Sequence, residues 1–156
     1  MKTEHLLIMR FTALGEVAML VPVVSSLAQQ YPELRITVLS NPFARSLFDG
    51  IAHNVGFMAA DLNGEYHGVK GLNALYRRLV AKNFTAIADM QSILRSSYLR
   101  MRFNISSYRV EHLDNHRQER RKLVAAKDKC LKQLPSLFDD YLDVLARLGY
   151  NVSLDF

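Results

Sequence analysis

The chain holds one cysteine, Cys130, and no tryptophan. A lone thiol closes no intramolecular disulfide and builds no cysteine cluster for zinc, which excludes a disulfide-stapled fold and fits a reducing cytoplasm. Glycine and proline are sparse, at 7 and 4 of 156 residues, so linkers and proline-rich or collagen-like segments are excluded as well. There are no internal repeats. No apolar run reaches the roughly 18 residues that a membrane-crossing helix needs. "VAMLVPVVSSLA" (Val17–Ala28) has the look of a secretory core followed by a Ser-x-Ala site. Against it, Glu4 and Glu16 lie where such a leader is positive, and Leu6–Met9 is a second apolar run upstream. The N-terminus is therefore expected to be folded structure in a cytoplasmic protein.

What is present is ordinary globular material: 49% hydrophobic and 22% charged residues in a length suited to one domain. The formal net charge of +5 suits phosphates, nucleic acid and an anionic membrane surface alike.

Apolar runs of two periodicities alternate. Leu6–Met9 is continuous, the pattern of a strand buried on both faces. Val17, Leu20, Val21, Val24, Leu27 and Ala28 follow at helical spacing. Pro22 marks either a kink there or the opening of the main helix after one loose turn. "RITVLS" (Arg35–Ser40) is a strand rich in β-branched residues, and "NPFARSLFDG" a short helix with Asn41 as cap, Pro42 first and Gly50 closing it. "NVGFMAAD" is a third strand, "GLNALYRRLVAKN" a helix, "FTAIADM" a fourth strand, "SILRSSYLRMRF" a helix and "YRVEHL" a fifth strand. His112 to Lys132 is polar and basic and reads as a long surface loop. The closing helix, "LPSLFDDYLDVLARLG", has Ser136 as expected cap, Asp139 three residues on, and Gly149 at its C-terminal end. The alternation predicts an α/β fold with a parallel sheet of about five strands and helices on both faces.

In such a sheet the ligand crevice lies where a strand's C-terminal end meets the next helix. "RFTALGE" (Arg10–Glu16) falls there, and Gly15 suggests a tight turn whose amides can hold an anion. There is neither a G-x-G-x-x-G dinucleotide loop nor a G-K-[ST] phosphate loop. On residue type alone, Glu16 is a helix-start acid that complements the dipole.

"LLIMRFTALGEVAMLVPVVSSLAQQYPELRITVLSNP" resembles the opening of glycosyltransferase family 9, the ADP-heptose:lipopolysaccharide heptosyltransferases. That family begins with an apolar strand, Arg or Lys, a small-polar pair, Leu-Gly-Asp and an apolar helix containing proline. The likeness continues at "FTAIADMQSILRSS", at "HRQERRKL" and at "YLDVLARLGYNV", so it runs over nearly the whole chain. It implies a Rossmann-like domain, the N-terminal, acceptor-side half of a GT-B fold, spanning residues 1–156. The C-terminal donor-binding domain is expected to lie outside the sequence. The implied activity is transfer of a heptose from ADP-heptose, or another nucleotide-sugar, to a lipopolysaccharide core with inversion. The chain by itself is expected to be inactive.

The resemblance also distributes roles. Glu16 stands at the family's proposed catalytic base, an aspartate there, on an arm longer by one methylene, and a misplacement of about 1 Å can cost about a hundredfold in rate. It is expected at the mouth of the crevice, partly exposed and free of a buried ion pair. Arg10, Thr12, Ala13, Leu14 and Gly15 match the loop that touches acceptor or donor phosphate, and Asp89, Gln91, Arg95 and Ser96 match a motif lining the acceptor side. Ser92 replaces a glycine that is usual in that motif. Without the resemblance, Arg10 reads equally as a solvated strand-end charge, and Gln91 and Arg95 as helix-start capping and surface charge. Arg117, Arg120, Arg121 and Lys122 form the densest charge run, a solvated face by residue type. By resemblance, Arg117 and Arg120 contact phosphates of the lipid core or the inner membrane surface. "HLDNH" gathers His112, Asp114 and His116 but lacks a third strong ligand, so no metal is expected. Two other readings compete: a basic α/β module that binds a phosphorylated ligand or nucleic acid, and an inactive partner domain that pairs with a second chain. No helix-turn-helix or aromatic RNA-binding signature supports the nucleic-acid reading.

Overall fold

The computed structural model describes residues 4–12, 14–91, 94–105, 109–112 and 133–154. Five strands, β1 (His5–Met9), β2 (Arg35–Ser40), β3 (Val55–Ala59), β4 (Ala86–Asp89) and β5 (Arg109–His112), form one sheet in the order β3-β2-β1-β4-β5. Every pairing is parallel. The central strand carries the continuous apolar run Leu6–Met9 and is buried along its whole length, as a strand covered on both faces must be.

The strand period of two splits the core. Leu6, Ile8, Ile36, Val38, Ala86 and Ala88 point to one face. They are covered there by α1 (Leu14–Ala18), α2 (Leu20–Gln30), the short α3 (Arg45–Phe48, after a 3₁₀ turn at Pro42–Ala44) and α6 (Gln133–Arg147). Leu7, Met9, Leu39 and Ile87 point to the other, under α4 (Gly68–Val80) and α5 (Leu94–Ile105). This is a Rossmann-like α/β sheet with helices on both faces. No helix among the described residues is long and apolar enough to cross a membrane.

Proline explains two helix starts. Pro22 is the third residue of α2 and Pro135 the third of α6, positions whose N–H has no intrahelical partner in any case. α6 therefore begins at Gln133, and Ser136, expected as its cap, lies inside the helix. Its other end follows expectation. Gly149 takes φ +100, and the N–H groups of Tyr150 and Gly149 close on the carbonyls of Leu145 and Ala146 at 2.8 and 3.0 Å, a Schellman end that needs a left-handed residue.

Candidate functional site

The strand order reverses between β1 and β4, so the loops leaving these two strands diverge to opposite sides. Such a switch point is where open α/β sheets take ligands. The described parts of the two loops are Arg10–Thr12 and Met90–Gln91.

Gln91 ties them together. Its side-chain Oε1 accepts from the main-chain N–H of Phe11 (2.7 Å) and of Thr12 (3.3 Å), and its Nε2 donates to Thr12 Oγ1 (2.6 Å). Two amides can only meet an acceptor, which sets the orientation of the carboxamide. Gln91 is thus buried and acts as a cross-link between loops, where surface capping was the plain expectation. Beneath it, Asp89 is fully buried, accepts from the Gln91 N–H (3.1 Å) and pairs with Arg100 (3.3 Å). Ser96 is likewise fully buried. Asp89 supports the loop from below, and neither side chain is open to solvent.

Arg10 is neither a solvated charge nor an exposed phosphate contact. It lies 5% exposed, with Nη1 donating to the Met90 carbonyl (2.6 Å) and Nη2 to Glu16 Oε2. Its guanidinium lies 5.9 Å from the centre of the Tyr141 ring. Burial draws its pKa below the ordinary arginine value, although an arginine starts so high that it keeps its charge at neutral pH. A buried permanent charge demands a counter-charge, and Glu16 provides it.

Glu16 itself sits where it was expected, at the start of the first helix with its side chain 45% exposed. The expectation that it is free of a buried ion pair is corrected: its partner's side chain is only 6% exposed. Gly15 is corrected too. It lies in the first turn of α1 without a left-handed φ, and a Cβ there would meet nothing within 4 Å. No tight turn requires this glycine, and at five residues α1 has little length over which to develop a dipole. Thr12, Leu14 and Gly15 are exposed beside Glu16, so the rim of the site is open to solvent.

Tyr141 is the site residue that sequence reading missed. On α6 it is fully buried, and its hydroxyl donates to the main-chain carbonyl of Glu16 at 2.8 Å. Burial raises its pKa above the ordinary phenol value, so it remains a hydrogen-bond donor. Its spacing marks it as one residue of an apolar stripe, and nothing in that periodicity tells what the hydroxyl meets.

The remaining sequence candidates are not gathered here. Arg95 donates to the Leu62 carbonyl (3.2 Å) and to Asn63 Oδ1 (2.8 Å), away from the Arg10–Glu16 pair. Ala13, Ser92, Arg117, Arg120, Arg121, Lys122, Asp114 and His116 lie outside the described residues. Among the described residues no group of three or more His, Cys, Asp or Glu side chains is placed to hold a metal ion.

No family model matches the sequence, and no curated protein matches it. Solved structures do match by fold. A glycosyl transferase family 9 structure from Veillonella parvula superposes with a TM-score of 0.66 at 18% identity, over 100% of this chain and 46% of that one. The E. coli heptosyltransferase WaaC with ADP gives 0.62 at 17% identity, over 97% of this chain and 49% of its own. WaaC with ADP-2-deoxy-2-fluoro heptose gives 0.65 at 16%, over 97% and 50%. The chain therefore spans about half the length of the structures it matches, and it shares with that half the Rossmann-like fold.

Proposed function

We propose that this chain is the acceptor-side domain of a glycosyltransferase that moves a sugar, a heptose first among candidates, from a nucleotide-sugar to a glycan acceptor such as a lipopolysaccharide core. The cleft is completed by a second Rossmann-like, donor-binding domain. The observation that carries this reading is a half-exposed carboxylate, Glu16, at the switch point of a sheet whose fold is that of about half a heptosyltransferase.

In this reading the acceptor hydroxyl attacks the anomeric carbon from the face opposite the leaving nucleoside diphosphate, and the configuration inverts. The hydroxyl proton passes to Glu16 as the new C–O bond forms, and the C–O bond to the diphosphate breaks with its electron pair. Thr12 after β1 and Leu14 and Gly15 in the first turn of α1, all exposed, line the approach of the acceptor. Arg95, Arg117 and Arg120 are the candidate contacts to acceptor phosphates or an anionic membrane surface.

The test joins the chain to a donor-binding domain from a heptosyltransferase and supplies ADP-heptose with a lipopolysaccharide-core acceptor. The completed wild type is expected to transfer heptose, and the chain by itself to transfer none. Glu16→Gln is expected to lower kcat by about 10²-fold or more, the usual contribution of a general base, while the circular dichroism of the fold is kept even though Arg10 loses its counter-charge. Equal rates for wild type and Glu16→Gln, or no transfer by the completed wild type, would remove this reading.

A further inference from the structure

Glu16 is held at both ends. Its carboxylate meets Arg10 Nη2 and its own main-chain carbonyl accepts from Tyr141 Oη at 2.8 Å. The two holding residues also touch each other, guanidinium over ring at 5.9 Å. Each is anchored independently of Glu16. Arg10 Nη1 donates to the Met90 carbonyl at 2.6 Å, and the Arg10 N–H donates to the Leu39 carbonyl at 3.2 Å. Tyr141 is fully buried among Val144, Leu145 and the sheet.

An untethered, half-exposed glutamate rotates about three side-chain bonds and spends little time in any one direction. α1 supplies no rigidity of its own: it is five residues long and breaks at Met19 before α2 begins, well below the length at which a helix holds itself. Whatever order Glu16 has must come from outside its own helix, and two buried side chains, one directly after β1 and one on α6, are the groups placed to impose it.

We infer that Arg10 and Tyr141 are positioning residues that hold Glu16 at two points, its carboxylate and its main-chain carbonyl, and so aim the carboxylate at the crevice mouth. The inference deepens the glycosyl-transfer reading, on which the kinetic part of its test rests. Neither residue touches substrate. Arg10 fixes the direction of the carboxylate, and Tyr141 fixes where α1 starts.

The first measurement needs only the chain itself. In ¹⁵N-labelled protein at neutral pH, the Arg10 Nη protons are expected as resolved, slowly rotating signals, assigned by their loss in Arg10→Lys. They should collapse in Glu16→Ala, where Nη2 has no carboxylate. In Tyr141→Phe the Met19 amide, which closes α1 on the Gly15 carbonyl at 3.2 Å, should exchange about tenfold faster while the amides of β1 keep their rates. Arg10 signals indifferent to Glu16→Ala, or a Met19 amide indifferent to Tyr141→Phe, would overturn the two-point hold.

The second measurement uses the completed enzyme. Tyr141→Phe is expected to lower kcat about tenfold with KM for the nucleotide-sugar unchanged. Arg10→Met is expected to lower kcat further and to move the acid limb of the pH–rate profile upward, and Arg10→Lys to restore part of both. A kcat loss in Arg10→Met that Arg10→Lys does not relieve, with the pH profile unmoved, would assign Arg10 to the fold alone. The two readings fail separately. If the spectroscopic signatures appear but Glu16→Gln transfers heptose at the wild-type rate, the hold stands and the catalytic reading falls. If Glu16→Gln abolishes transfer but the signatures are missing, the reverse holds.

Discussion

His5 and Arg10 bracket the same strand, the first opening β1 and the second following its last residue, Met9. Each is 5% exposed, and burial lowers the pKa of each. The consequences differ because the starting points differ, 6.5 for the imidazole and far above neutrality for the guanidinium. His5 can give up its proton, and it is satisfied as a neutral ring. Nδ1 lies 3.1 Å from the Lys82 carbonyl and must donate to it, which leaves Nε2 to accept from Thr37 Oγ1 at 2.8 Å. The ring also packs on Phe84, centroids 4.4 Å apart. Arg10 cannot discharge. It recruits Glu16 as counter-ion, and its Nε still has no partner among the described residues. A buried group that neutralises itself becomes plain structure, whereas one that stays charged keeps a carboxylate at the surface and thereby builds a site.

The contrast is sharpened most by Gln91. Replacing it with leucine leaves two main-chain N–H groups and the Thr12 hydroxyl without their partner. Gln91→Leu is expected to cost about 2 kcal/mol, since the buried Phe11 N–H left unpaired costs about 1–3 while the groups of exposed Thr12 turn to water. The denaturation midpoint reads it, and a loss below about 0.5 kcal/mol would mean that other contacts hold the loop.

At the opposite end of the strand the expected effect is smaller. Thr37→Val keeps the shape but removes the donor to His5 Nε2, one neutral hydrogen bond worth about 1 kcal/mol. A cost above that of Gln91→Leu would reverse the ranking of the two ends.

The smallest effect is a pH dependence. The folded-state pKa of His5 lies below 6.5, so between the two values the unfolded chain binds the proton that the folded chain refuses. The contribution of His5 is complete above pH 6.5, declines as the pH falls through that window, and levels off below the folded value. Subtracting the stability curve of His5→Gln from that of the wild type isolates it. A difference that grows in favour of the wild type as the pH falls below 6.5 would contradict the sign. Arg10 contributes no such slope near neutrality, because it is charged in both states.

Much of the fold was legible because it rests on local patterns. "RITVLS" is β2 to the residue, and Leu6–Met9 is β1 less its first residue. Gly149 was readable as a helix end from its place after an apolar stripe. The misses have physical causes. Ser136 looked like a cap because serine favours that position, but Pro135 tolerates the first turn and lets α6 start earlier. Arg10 looked solvated because arginine is so seldom buried, and Gly15 looked like a turn because glycine so often serves as one. Glu16 was singled out by its place after a strand and before a helix and by the family resemblance, both of them sequence information. Its ion pair was not, because an i to i+6 contact matches no helical or strand spacing.

By itself, the sequence determined the elements and their alternation, since hydrophobic period is a property of neighbours along the chain. It also determined that a loop with a carboxylate follows the most apolar strand, and hence where a crevice would lie. The tertiary structure decided the strand order β3-β2-β1-β4-β5 and which side chains converge at its reversal. Gln91 meets Phe11 across 80 positions of sequence, and Tyr141 meets Glu16 across 125. Contacts of that span arise only after the helices have packed on the sheet. Burial then decides which polar group must find a partner, and packing decides which partner lies within reach.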